Sequence, residues 1–190
     1  MQFTFLGPPG AGKGAQASIL TQRWQIPHIS TGDILREAIA GKTSLGIQAH
    51  THLETGELVP DILVMALIRE CFGKPDMKRG WILDGFPRTI PQAHALDQLL
   101  SIFRQPHPTV VYFEIATEVL VERMLARGRR DDNEDAIRRR LEIYQENTAP
   151  LIDFYQRRQC LAKINGNLPL GEVTSKLQEL LLQYQYSSLV

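Results

Sequence analysis

Apolar residues along the chain follow two rhythms. Short, nearly unbroken runs occur at Phe3-Thr4-Phe5-Leu6, Trp81-Ile82-Leu83 and Thr109-Val110-Val111-Tyr112-Phe113-Glu114-Ile115. Runs this short that are apolar on both sides read as strands buried between two layers, because neither face meets water. The Trp81 run follows Gly80 and ends in Asp84, which puts a carboxylate at the C-terminal edge of a buried strand. Proline-bounded Ile26 to Ser30 and the segment Leu161 to Asn165 predict two further strands. Between the runs, apolar positions recur at helical spacing. Helices are expected around Gln16 to Leu20, from Thr31 to Ala40, Leu45 to Leu53, Pro60-Asp61 to Phe72, from Pro91 onward, over 117–127, 134–147 and 149–158, and near Gly171 to Tyr184. Strand and helix in alternation predict an α/β fold, a parallel five-stranded sheet with helices on both faces.

The first strand leads into Gly7-Pro8-Pro9-Gly10-Ala11-Gly12-Lys13, and a helix follows. That spacing is a P-loop. Glycines there can turn successive backbone N–H groups inward around an anion, the helix N-terminus adds its dipole, and Lys13 supplies a point charge for β- and γ-phosphates. Gly14 stands where the general motif has Ser or Thr. With no hydroxyl at that position, Mg²⁺ must be held by phosphate oxygens, water and a carboxylate from elsewhere. The tip of a parallel strand is where an open α/β sheet places its ligand, so Asp84 is the candidate, through water, and an N-cap for the following turn is its plainer alternative.

Composition narrows the setting. A chain of 190 residues with 43% hydrophobic content can bury a full core as one domain with small mobile inserts. Formal net charge is zero, which argues against a general nucleic-acid or membrane-surface binder and leaves only local basic sites. Cys71 and Cys160 lie far apart, so neither a disulfide framework nor a structural zinc site is expected, and a reducing compartment is. No leader pattern and no run approaching the ~18 apolar residues of a membrane helix is present, so a cytoplasmic protein is expected.

One such basic site stands between residues 123 and 140. Arg123, Arg127, Arg129, Arg130, Arg138, Arg139 and Arg140 are interleaved with Asp131, Asp132, Glu134 and Asp135. A solvated helix face is the ordinary explanation. Two phosphate chains brought together, however, need positive charge, and arginine's planar fork suits phosphoryl oxygens. Arg123 and Arg127, four apart, point the same way on a helix. Gly128 and the acids after it read as a hinged loop able to close over them. The five histidines are scattered and are taken as structural or surface residues. No Ser-His-Asp or paired-carboxylate arrangement stands out.

The chain resembles an adenylate kinase over nearly its whole length. Gly7 to Gly14 with its Lys13-Gly14 ending, Ser30-Thr31-Gly32-Asp33-Ile34-Leu35-Arg36, Leu83-Asp84-Gly85-Phe86-Pro87-Arg88-Thr89 with Gln92, and Arg123 through Asp132 with Arg140 carry the likeness. It implies a P-loop NTPase-type fold made as a single nucleoside monophosphate kinase domain. A mobile monophosphate-binding insert would span about 30–59 and a short lid about 126–133. The activity implied is reversible phosphoryl transfer from MgATP to AMP, giving two ADP, by a monomer.

By the same resemblance, Gly10, Ala11, Gly12, Lys13, Gly14 and Ala15 would hold ATP phosphates, with Arg127 against the ATP adenine. Thr31, Arg36, Val59, Gly85, Phe86, Pro87, Arg88 and Gln92 would form the AMP site, with Glu57 and Leu58 at its adenine edge. Lys13, Arg88, Arg123, Arg129 and Arg140 would grip transferring and acceptor phosphates. Asp131 and Asp132 match the acidic pair that closes the lid, and without cysteines the lid cannot bind zinc. Ala15 departs from the family's usual Thr, so weaker ATP affinity or slower turnover is expected. The missing general base is intelligible, because an AMP phosphate oxygen is already ionised at neutral pH.

Two rivals share some of these features. A UMP/CMP kinase has the same fold, but that family tends to have Ala where Thr31 stands, and an Asn-containing segment follows its Gly-Phe-Pro-Arg block; Thr31 and Gln92 favour adenine. A non-catalytic P-loop nucleotide switch would not require Arg36, Arg88 and the lid arginines.

Overall fold

The computed structural model describes residues 1–187. Five strands, β1 (Gln2–Leu6), β2 (His28–Ser30), β3 (Trp81–Asp84), β4 (Thr109–Glu114) and β5 (Leu161–Asn165), form one sheet in the order β2-β3-β1-β4-β5 with every pairing parallel. Parallel neighbours need a crossover between them, and helices supply it. In chain order these are α1 (Lys13–Trp24), α2 (Thr31–Ala40), α3 (Ser44–Thr55), α4 (Asp61–Phe72), α5 (Ile90–Ile102), α6 (Thr117–Arg127), α7 (Glu134–Ile143), α8 (Pro150–Arg157) and α9 (Leu170–Ser187). Among the described residues no helix is long and apolar enough to cross a membrane.

The period of two along a strand divides the core between the faces. Phe3 and Phe5 of β1, Ile82 of β3, and Val111 and Phe113 of β4 pack with Ala17 and Leu20 of α1 and Val173 and Leu177 of α9. On the other face Trp81 and Leu83 join Leu67 and Ile68 of α4 and Leu96 and Leu100 of α5, while Leu6 and Val110 meet Leu151 and Tyr155 of α8. Strands covered this way have no polar face to show, which is why they appeared as unbroken apolar runs.

Four differences from the sequence expectation stand out. The strand expected from Ile26 begins at His28, and Ser30 ends it by capping α2, its hydroxyl accepting from Asp33 N–H at 3.2 Å. The helix expected around Gln16 starts at Lys13, inside the loop motif. A 3₁₀ segment at Pro75–Arg79 was not foreseen. The helix expected over 134–147 is α-helical only to Ile143 and then widens into a π-helical turn, Tyr144–Thr148. Pro150 has no N–H and its ring crowds the carbonyl four residues back, and in the turn before it Ala149 N–H reaches Tyr144 O at 2.8 Å.

Registers align the functional ends. Phe5 pairs with Asp84 on one side and Val111 on the other, and Ser30 also pairs with Asp84. The P-loop, the start of α2 and the Asp84 carboxylate therefore emerge side by side at the C-terminal edge of the sheet.

Candidate functional site

The loop after β1 takes a shape that its glycines permit. Gly10 and Gly12 sit at φ +84° and +88°, a left-handed conformation that L side chains rarely adopt. Gly12 is the N-cap of α1 and makes no side-chain cap, so the first N–H groups of the helix are left for an anion. Lys13 Nζ donates to the carbonyls of Gly7 and Pro8, each at 2.8 Å. Burial presses its ammonium down to about 8, with the Asp84 carboxylate pulling it up and the Arg88 and Arg127 guanidiniums pushing it lower. A Cβ on Gly14 would lie 3.3 Å from Asp84 Oδ2, so the residue lacking the usual hydroxyl faces the carboxylate.

Above the loop lies a cavity of about 530 Å³, within the ~300–1,000 Å³ of small-molecule sites. It is lined by Gly10 through Ala15 with Asp84, and by Gly32, Asp33 and Arg36 of α2 with Glu57, Leu58 and Val59. Gly85, Pro87 and Arg88 also line it, as do Arg123, Arg127, Arg129, Asp131 and Arg140. Six guanidinium groups thus converge on one space from five parts of the chain. A side pocket of about 20 Å³ opens between Thr31, Leu58, Val59, Val64, Gly85, Arg88 and Gln92. Phe86 is 1% exposed and packs in the core below β3; its side chain lines neither space.

Four of these like charges, Arg36, Arg127, Arg129 and Arg140, are held by carboxylates, and Arg123 donates to the carbonyl of Gly166 at 3.0 Å. Asp132 accepts from Arg127 Nε at 2.9 Å and Nη2 at 2.7 Å, from Arg140 Nη1 at 3.0 Å, and from Arg129 N–H at 3.3 Å. Burial would raise this carboxyl, but the hydrogen bond and charge of Arg127, the Arg129 N–H and Arg140 hold it below its ordinary value. Asp131 accepts from Arg140 Nη2 and lies 3.7 Å from Arg36 Nη1. Asp33 accepts from Arg36 at 2.6 Å and from Arg129 at 3.2 Å. It too is lowered, the bonds from Arg36 and Ser30 outweighing burial. Arg88 donates from Nε to Gly85 O at 2.8 Å, and burial lowers it from its usual value, with Asp84 opposing and Arg140 and Arg36 adding. An arginine still keeps its charge there.

The loop between α6 and α7 therefore touches the α2–α3 segment directly, through Arg129 to Asp33 and Arg36 to Asp131. Further back, Arg139 Nε donates to Glu57 at 2.6 Å and Arg140 Nη2 to Leu53 O at 3.0 Å. Of the seven arginines between 123 and 140, Arg123, Arg127, Arg129 and Arg140 line the cavity, while Arg138 pairs with Glu134 on an exposed face. One run thus divides between a solvated face and the lining of the cavity.

Some wall residues had escaped the sequence reading. His28, grouped with structural or surface histidines, lines the cavity with Nε2 3.9 Å from Asp84 Oδ2. Its place at the head of the strand leading into Ser30-Thr31-Gly32-Asp33 was the available signal. Thr148 reaches the cavity from the π-helical turn and donates to Arg88 O at 2.8 Å. No sequence signal marks it, because its place depends on how α7 and α8 pack.

A phosphate loop on a 2-3-1-4-5 parallel sheet, facing arginines from several elements across a single cleft, defines a P-loop nucleotide-binding enzyme of the phosphotransferase type. The family model described as adenylate kinase matches residues 5–160. Among curated proteins, an "Adenylate kinase 1" of Nostoc sp. is 55% identical over 174 residues, covering 92% of this chain and 95% of that one. Another of Synechocystis sp. is 51% identical, with 93% and 94% covered, and an "Adenylate kinase" of Xanthomonas campestris is 44% identical over 185 residues, with 95% and 99% covered. The chain belongs to the adenylate kinase family.

Proposed function

We propose that the cavity holds the two nucleotides of an ATP:AMP phosphotransferase end to end, donor on the P-loop and acceptor between α2 and the loop after β3. The reaction is reversible transfer of the γ-phosphoryl group of MgATP to AMP, giving two ADP. The observation that carries this reading is the convergence of Lys13 and six arginines on one space lined by both the P-loop and the α2–α3 segment. A protein that merely binds ATP needs no second cationic wall.

In this assignment the N–H groups of Gly10 through Ala15, together with Lys13, hold the ATP phosphates, and Arg127 lies against its adenine. Thr31, Arg36, Glu57, Leu58, Val59, Gly85, Pro87, Arg88 and Gln92 form the acceptor site, Phe86 supporting it from the core. Arg88, Arg123, Arg129 and Arg140 span the transferring phosphoryl group. Asp131 and Asp132 aim these arginines. Asp84 fits the Mg²⁺ of MgATP through water, because that ion keeps several waters and takes one or two carboxylates plus substrate phosphates. Held there, the ion would supply positive charge to the transferring phosphate.

An ionised AMP oxygen attacks the γ-phosphorus in line, so the protein moves no proton. Its work is alignment and charge neutralisation in a site closed to water. The segments 30–59 and 126–133 act as the moving parts of a single domain, closing when nucleotides bridge them. One chain carries both sites, so a monomer suffices, and the free thiols of Cys71 and Cys160 suit a reducing cytoplasm.

The test is whether purified protein makes ADP from MgATP only when a monophosphate is supplied. AMP is the expected best acceptor by kcat/KM among AMP, GMP, CMP and UMP. Steady ADP formation with no acceptor would make it an ATPase, and preference for UMP or CMP would reassign the acceptor.

A further inference from the structure

The side pocket beside the cavity ends on Gln92, which is 3% exposed. Its carboxamide is held from two sides. Nε2 donates to Asp61 Oδ1 at 2.6 Å, and Oε1 accepts from the Arg88 backbone N–H at 2.7 Å. Asp61 comes from the first turn of α4, thirty-one residues away in sequence, and its side chain is otherwise exposed.

The two partners are chemically opposite. An ionised carboxylate only accepts hydrogen bonds, and a backbone N–H only donates. Rotating the Gln92 amide by half a turn would set oxygen against carboxylate and N–H against N–H. The buried amide is therefore locked in one orientation. After both bonds it retains one N–H and one oxygen lone pair, in a fixed spatial order.

A purine edge offers one of two orders. Adenine presents the N1 acceptor beside the 6-amino donor; a 6-oxo purine presents the N1–H donor beside an O6 acceptor. A freely rotating glutamine would serve either by flipping. We propose that Asp61 is a positioning residue that sets acceptor-base specificity: by locking the Gln92 amide it admits 6-aminopurine monophosphates and rejects 6-oxopurine ones. The proposal rests on the reading above that Gln92 faces the acceptor base. A locked amide rejects the wrong edge because the mismatched groups would be buried unpaired. Asp61 thus acts on the base without touching it.

The experiment compares kcat/KM for AMP and for inosine 5′-monophosphate at fixed MgATP in the wild type, Asp61→Asn, Asp61→Glu, Gln92→Ala and the Asp61→Asn/Gln92→Ala double variant. Asn is nearly isosteric but can donate, so it removes one side of the lock. The expected result for Asp61→Asn is a preference for AMP lowered about tenfold, the scale of one hydrogen bond to a charged group. The change should lie in the monophosphate KM, with ATP KM and melting temperature unmoved. Asp61→Glu, an acceptor-only group at an exposed position, should restore most of the preference, and the double variant should be no less selective than Gln92→Ala alone. If Gln92→Ala abolishes the preference and Asp61→Asn leaves it intact, the proposal is overturned while the acceptor reading stands. If Gln92→Ala itself changes nothing, Gln92 does not read the base and both fail. An Asp61→Asn protein that loses activity with both acceptors equally, and melts early, would reduce Asp61 to a structural residue.

Discussion

Lys13 has a charge that the free fold disfavours and that a polyphosphate in the proposed donor site would favour. Its ammonium, lowered by burial from 10.5 to about 8, is half lost near the upper end of physiological pH. In the free protein the unfolded chain holds this proton up to its ordinary value, so between about 8 and 10.5 it binds more protons than the folded one. The contribution of Lys13 to stability therefore rises with pH across that window, the cost of the buried charge being present in full below it. Binding runs the other way, because phosphates draw the proton back. We expect ATP affinity to fall as pH climbs above 8 and ATP binding at pH 8.5 to take up a fraction of a proton. Titration calorimetry in two buffers of different ionisation heat measures the uptake, and Lys13→Met should abolish it. ATP itself is fully ionised there, so it supplies no competing proton change.

At the scale of elements, the proposed acceptor side depends on how closely α2 and α3 cross. Gly46 in the first turn of α3 faces the end of α2, where a Cβ would stand 2.1 Å from Ala38 O and 2.6 Å from Ile39 N. Those are backbone atoms, which cannot swing away as a long side chain would. Thr43 tightens the same corner, capping α3 by accepting from Gly46 N–H at 3.1 Å and donating to Ala38 O at 3.2 Å. Gly46→Ala should force the helices apart at a cost of ~1 to 3 kcal/mol or more. Calorimetry should find the melting temperature lower by roughly 2–4 °C for each kcal/mol. Kinetics should find the AMP KM raised, since α2 carries Arg36, while the ATP KM stays put because the P-loop hangs on β1 and α1. An equal rise in both constants would mean that the α2–α3 corner does not act separately from the donor side.

For the whole molecule, two groups of contacts join the α2–α3 segment to the lid and to α7. The pairs Arg129–Asp33 at 3.2 Å and Arg36–Asp131 at 3.7 Å involve side chains that are partly solvated, and such pairs are individually worth little. At that strength they would orient the two segments proposed to close without by themselves holding them together. A ligand that touches both walls should do far more. Two adenosines joined by five phosphates make the second contact intramolecular, with an avidity gain on the order of 10² to 10⁴ where the length fits. The melting temperature should rise further with this compound than with equal concentrations of ATP plus AMP, since stabilisation grows with the logarithm of saturation. A shift no larger than that from ATP alone would sink the two-site arrangement.

Much of this was legible along the chain because it is local. Apolar runs marked the buried strands, and glycines whose positive φ excludes a side chain marked the P-loop. The acid ending a strand marked Asp84, and each of the four motif blocks lies within a short stretch of sequence. Partner choices over long separations were not legible: Glu57, which lines the cavity, also bonds Arg139 on α7, and His28 stands by Asp84. Gln92 meets Asp61 only because α4 and α5 pack on the same face of the sheet. Periodicity and motif spacing depend on backbone geometry within one element, so the sequence alone determined the strands, most of the α-helices, the fold class and the glycine-rich loop. A hydrogen bond between elements depends on packing distance and side-chain direction. Only the tertiary structure decided which carboxylate or carbonyl each arginine meets, and which way the Gln92 amide is turned.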